Sequence, residues 1–153
     1  QPDCHFWLRL RRMTAWLHRD DLRKIAEEKL ADARLLFDNG RYSAAYYLCG
    51  YSVETALKAR IAGQFRKHAI PERKLIEQIY KHDLNELVGT ANLRGELERR
   101  ARDEPGFAAN WAIVKEWKVE TRYAIMKPVD TERMLAATDE PETGILPWIR
   151  LHW

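Results

Sequence analysis

The stretch Asn39 to Phe65, NGRYSAAYYLCGYSVETALKARIAGQF, constrains this chain most, because it reads as one long helix launched from a turn. Asn39-Gly40 supplies the turn, since both residues tolerate positive φ, and Ser43 is placed to cap the helix with its hydroxyl. Beyond it Tyr47, Tyr51, Glu54, Leu57, Ile61 and Phe65 recur at three- and four-residue steps, so they share one face. One member of that apolar stripe is a carboxylate. A buried Glu54 must either find a cation or stay protonated, because an unpaired buried charge costs several kcal/mol. Lys58, one turn on, is the local partner; a distant arginine is the other.

The rest of the chain repeats the helical period. Asp20 or Asp21 is expected to cap a helix running to about Asp38, with Leu22, Ile25, Ala26, Leu30, Ala33 and Phe37 inward and Arg23, Lys24, Glu27, Glu28, Lys29 and Asp32 outward. The short link to the long helix then makes an antiparallel hairpin. Arg73 to Tyr80 reads as a short helix, and Asp83 caps another that carries Leu84, Leu87 and Val88 and closes at Gly89. Leu93 to Arg102 alternates sign as a solvated helix does. After a turn at Asp103–Gly106 comes a helix bearing Trp111, Val114 and Trp117, and Asp130 or Thr131 is set to cap one with Met134, Leu135 and Ala137. Gly144 to Trp153 is either a docked terminal helix or a partner surface. β-branched alternation is absent, so the fold expected is all-α, an antiparallel bundle of four to five helices.

Composition narrows the function. A formal charge of +3, mixed in sign along the chain, does not by itself imply nucleic-acid binding. Two cysteines, Cys4 and Cys49, fall short of a disulfide framework or a zinc site, and Cys49 reads as a small buried hydrophobe. No apolar run is long enough to span a membrane, so a cytoplasmic location is expected. Residues 1–12 match nothing that follows and Met13-Thr14 looks like a start, so they are read as a leader or cloning remnant before a single domain at 13–153. There is no phosphate-binding glycine loop, no HExxH and no metal-ligand cluster; no cofactor and no metal are expected.

Four features stand in order: Gly40-Arg-Tyr42 after Ala31–Gly40, the segment Ala45–Lys58 with its Ser-Val-Glu-Thr-Ala-Leu-Lys, His82-Asp83-Leu84, and Trp117 followed by Arg122-Tyr123. Together they resemble the HEPN domain family over roughly Asp20 to Trp153. The resemblance implies a compact helical bundle, often a homodimer, and members that are ribonucleases, toxins or companions of a separately encoded minimal nucleotidyltransferase. In the ribonuclease branch an arginine and a histidine, separated by four to six residues near the end of a late helix, cleave RNA without metal. This sequence departs from that pattern: Arg122 is followed by Tyr123, Ala124, Ile125, Met126, Lys127 and Pro128. Arg11 or Arg12 with His18 has the spacing, but in or beside the leader, where chance accounts for it.

No catalytic residue is therefore assigned. The remaining constellation is Glu54, Lys58, His82, Trp117, Arg122 and Tyr123. Read functionally, Lys58 and Arg122 hold a nucleotide phosphate while a tyrosine or Trp117 stacks a base. Read structurally, and this is the reading preferred here, Glu54 and Arg122 form a buried ion pair locking two helices, with His82 an ordinary helix-start residue. The resulting expectation is a nucleotide- or partner-binding HEPN protein, a homodimer and companion of a nucleotidyltransferase, its partner surface formed by the apolar tail and an exposed side of the bundle. A metal-independent ribonuclease toxin with a non-standard site, its histidine brought from elsewhere in the fold, is the alternative; nucleotide or RNA binding without turnover is a third reading.

Overall fold

A computed structural model describes residues 17–153, so the expectation of a leader at 1–12 lies outside the described residues. Eight α-helices and one 3-10 turn form among them: α1 Arg19–Asp38, α2 Tyr42–Ala62, α3 Arg73–Ile79, α4 Leu84–Thr90, α5 Arg94–Asp103, α6 Pro105–Val114, the 3-10 turn Val119–Tyr123, α7 Pro128–Asp139 and α8 Ile145–Arg150. The all-α expectation holds, with five of the helices ten residues or longer.

The hairpin of α1 and α2 is made as expected, but its joint works differently. Gly40, at φ +74, ends α1: its N–H donates to Phe37 O at 3.0 Å and the Arg41 N–H reaches Leu36 O at 2.8 Å, satisfying two carbonyls the helix end would leave open. Ser43 does not cap α2. Its Oγ accepts the Met126 N–H at 2.9 Å instead, tying the start of α2 to the strap before α7. Two of the other three predicted caps also move inward. Asp20 and Asp21 sit in the first turn of α1, where a negative charge suits the helix dipole, and Thr131 donates to Tyr42 O at 3.0 Å while Pro128 opens α7. Asp83 does cap α4, accepting from the Glu86 N–H at 2.9 Å.

Helix α2 is the axis of the molecule. It packs against α1, α4, α7, α8 and the 3-10 turn, and twelve of its residues are buried, from Ala45 to Ile61. The predicted single stripe is therefore too narrow. Small residues, Ala45, Gly50, Ser52, Ala56 and Ala59, let neighbours approach on the other faces, and the hydroxyls of Ser52 and Thr55 are answered by their own helix, at Cys49 O and Tyr51 O. Phe65 lies past the helix end and is exposed.

Two later expectations need correction. No loop separates α5 from α6: Glu104 alone joins them, and Pro105, which has no N–H to continue α5, takes the first position of α6. Trp117 falls three residues beyond α6 yet is buried. The apolar tail is a docked helix, with Ile145, Leu146, Trp148 and Ile149 all buried, while Leu151 just beyond it is exposed. Arg150 closes the dock, its guanidinium meeting both carboxylate oxygens of Glu27 on α1 at 2.6 and 2.7 Å.

Candidate functional site

Glu54 lies at the middle of α2 with 2% of its surface exposed. Its Oε1 accepts two donors: Lys58 Nζ at 2.7 Å, one turn along the same helix, and His82 Nδ1 at 2.9 Å, from the residue just before the Asp83 cap. A carboxylate only accepts, so Nδ1 carries the proton and the opposite ring nitrogen, Nε2, is left as the free position. Oε2 of Glu54 is buried and has no hydrogen-bond partner among the described residues. The carboxylate is thus held through one oxygen by two donors. The Lys58 side chain is 15% exposed and that of His82 50%, so the cluster is sealed beneath and open at the histidine.

The buried pair of Glu54 with Arg122 does not form. Arg122, on the 3-10 turn, is exposed and sets its guanidinium over the ring of its neighbour Tyr123, 4.8 Å from the centroid, with Tyr123 itself 78% exposed. The reason is local. A five-residue 3-10 turn keeps Arg122 at the surface, while Lys58 and His82 already answer the charge on Glu54. Of the six residues singled out in the sequence, Glu54, Lys58 and His82 come together, and Arg122 with Tyr123 forms a second, separate pair.

Trp117 has a structural place. Its ring lies on Gly50, one turn before Glu54, and is 1% exposed, so it offers no face to an incoming base. Tyr47 approaches it with ring centroids 5.8 Å apart, and Tyr47 and Tyr51 stack at 6.2 Å and 6°. These half-buried tyrosines, rather than Trp117, are the aromatic surface next to Glu54. Their spacing of four along α2 is the signal that could have marked them as a pair.

On the opposite flank of α2, Cys49 is fully buried, with Sγ 3.2 Å from Thr138 Oγ1, and burial pushes its thiol up to about 12. It has no nucleophilic role at neutral pH. A groove of about 550 Å³ opens between the α1–α2 joint and the strap before α7, lined by Leu36, Arg41, Tyr42, Ile125 and Met126 among others; it holds none of the six candidates. Among the described residues no group of His, Cys, Asp and Glu could hold a metal ion, and no helix is long and apolar enough to cross a membrane.

Comparison with known proteins gives one finding: the family model of the HEPN domain matches residues 20–140. No curated protein and no solved structure matches the chain.

Proposed function

The chain belongs to the HEPN domain family, and from that premise we propose that it is a nucleotide- or partner-binding module of the cytoplasm, companion of a minimal nucleotidyltransferase, and not a ribonuclease. One observation carries this reading. The arginine and the histidine that a metal-free ribonuclease would bring to one phosphate are committed to different partners, Arg122 to Tyr123 and His82 to Glu54. Lys58 is neutralised by Glu54 as well. What remains available is a half-exposed imidazole on Glu54, two half-buried stacked tyrosines on the same helix as that carboxylate, and a solvent-facing arginine on a tyrosine ring: groups that recognise a ligand without an assembled acid, base and phosphate clamp.

The test is incubation of the protein and its Arg122→Ala and His82→Ala variants with mixed cellular RNA, with and without chelator. Intact RNA throughout is expected. Thermal stabilisation by a nucleotide, or co-purification with a co-expressed nucleotidyltransferase, then identifies which ligand is bound; a nucleotide at a hundred times its Kd raises stability by about 2.7 kcal/mol.

A second reading has its own support. Glu54 beneath His82 is the arrangement of an orienting carboxylate and a base, with the imidazole half exposed. In that reading the chain is a metal-independent ribonuclease toxin with His82 as the base. Chelator-insensitive cleavage lost in His82→Ala would establish it and overturn the first.

A further inference from the structure

Between Gly63 and His82 the chain leaves the bundle and returns. Helix α3, in the middle of this excursion, buries none of its residues. Of the large hydrophobic side chains exposed among the described residues, Phe65, Ile70, Ile76 and Tyr80 lie here, with Ile70 96% and Tyr80 70% exposed. Leu75 and Ile79 anchor one side of α3 to the core, which leaves Arg73, Ile76 and Tyr80, at three- and four-residue steps, on the other. The same twenty residues hold five cations against two carboxylates, an excess as large as the +3 of the whole chain. Arg73 pairs with Glu77 and Lys81 with Glu86. Arg66, Lys67 and Lys74 are exposed and carry no ion pair among the described residues. The loop turns sharply between them, with the Ala69 N–H donating to Arg66 O at 3.1 Å and His68 at φ 65.

Free cations interleaved with exposed aromatic rings are the composition that binds single-stranded nucleic acid: the cations follow the phosphates and the rings stack on bases of any identity. An acidic protein would use the cations but has no need of two open aromatic faces. From this we infer that the excursion between α2 and α4 is a contact surface for single-stranded nucleic acid, with Arg66, Lys67 and Lys74 on the backbone and Phe65 and Tyr80 as stacking faces. It rests on the reading of the chain as a binding module and places the ligand on a surface distinct from the Glu54 cluster, reaching it only at His82.

The experiment measures fluorescence anisotropy of labelled oligouridine and oligodeoxythymidine of about ten nucleotides, within the range one small binding domain covers. The protein is compared with an Arg66→Glu, Lys67→Glu, Lys74→Glu variant, with Tyr80→Ala, and with Arg133→Ala at an exposed position of α7, each checked for its helical circular dichroism. Binding of one or both strands is expected to weaken steeply between about 50 and 200 mM salt. The charge-reversed variant is expected to lose binding by a factor of about a hundred or more, roughly the effect of three lost phosphate contacts. Tyr80→Ala is expected to lose about tenfold, the effect of one lost stack, and Arg133→Ala to bind as the parent does. Equal binding by parent and charge-reversed protein would overturn the assignment, as would absence of binding. Binding of labelled polyglutamate at the same strength, unaffected by Tyr80→Ala, would also overturn it and make the surface one for an acidic protein. The recovered oligouridine is run on a gel: shortened strands refute the binding-module reading, while the variant series still scores the surface.

Discussion

The indole of Trp117 rests on Gly50 so closely that a Cβ at position 50 would fall 2.1 Å from its Cδ1. The ring cannot yield cheaply, being 1% exposed and bounded by Tyr47. Gly50→Ala therefore expels Trp117 or displaces α2, and about 3 kcal/mol of stability is expected to go, the upper range for overpacking. Gly95 on α5 is the internal control, since a Cβ there meets nothing within 4 Å. Gly95→Ala is expected to stabilise by about 0.5 kcal/mol through helix propensity. Urea denaturation of the two variants should give opposite signs; a neutral Gly50→Ala would mean that the ring does not sit where described.

Glu54 supplies the second prediction. Truncation to Ala leaves Lys58, at 15% exposure, without its anion, and about 2 kcal/mol is expected to be lost, less than for a fully sealed pair. A double-mutant cycle assigns the partner. Glu54→Gln with His82→Ala should show a coupling of about 0.5–1 kcal/mol, and Glu54→Gln with Arg122→Ala none beyond about 0.3 kcal/mol. Coupling to Arg122 would restore the ion pair expected from sequence.

That contrast shows what the sequence could and could not reveal. A carboxylate on the apolar stripe of a long helix announces a need for a cation, and Lys58 is within reach on the same helix. His82, 28 residues away, arrives by the path of the chain through α3, which no local pattern encodes. The caps divide on the same ground. Asp83 is exposed and meets no competitor, so local logic decides its bond to Glu86. Ser43 and Thr131 lie where α2 and α7 meet, and each serves the neighbouring element instead. Periodicity found the helices; it could not say that Arg122 would fall on a 3-10 turn, because five residues carry no helical repeat to read.

Cys49 carries the pH prediction. Its thiol is held protonated in the fold up to about 12, against 9.0 as the ordinary value, because burial disfavours the thiolate. The unfolded chain thus releases this proton first as pH rises. Stability from this group is complete below about pH 9 and declines as pH climbs toward 12. In a Cys4→Ser background, the fall in urea midpoint above pH 9 should be shallower for Cys49→Ala than for the parent. At pH 8 the same thiol should react with a disulfide reagent only when urea opens the fold. Rapid labelling of the native protein would place Cys49 at the surface.

The terminal helix separates packing from pairing. Trp148 on α8 is fully buried and meets Phe107 edge to face, ring centroids 5.3 Å apart, so Trp148→Ala is expected to cost about 4 kcal/mol through lost transfer energy and the cavity left behind. Arg150 sits two residues on and makes a bidentate pair with Glu27, the better geometry by any electrostatic measure. Its side chain is 34% exposed and that of Glu27 43%, so water answers both charges once the pair is broken, and Arg150→Ala should cost no more than about 1 kcal/mol. If the two losses proved equal, or Arg150→Ala the larger, α8 would be held by charge and not by its apolar face. That would reopen the tail as a detachable surface, because a helix held by an exposed ion pair loosens with salt whereas one held by Trp148 does not. Repeating both denaturations at about 1 M salt, where the screening length falls to about 3 Å, decides between the two.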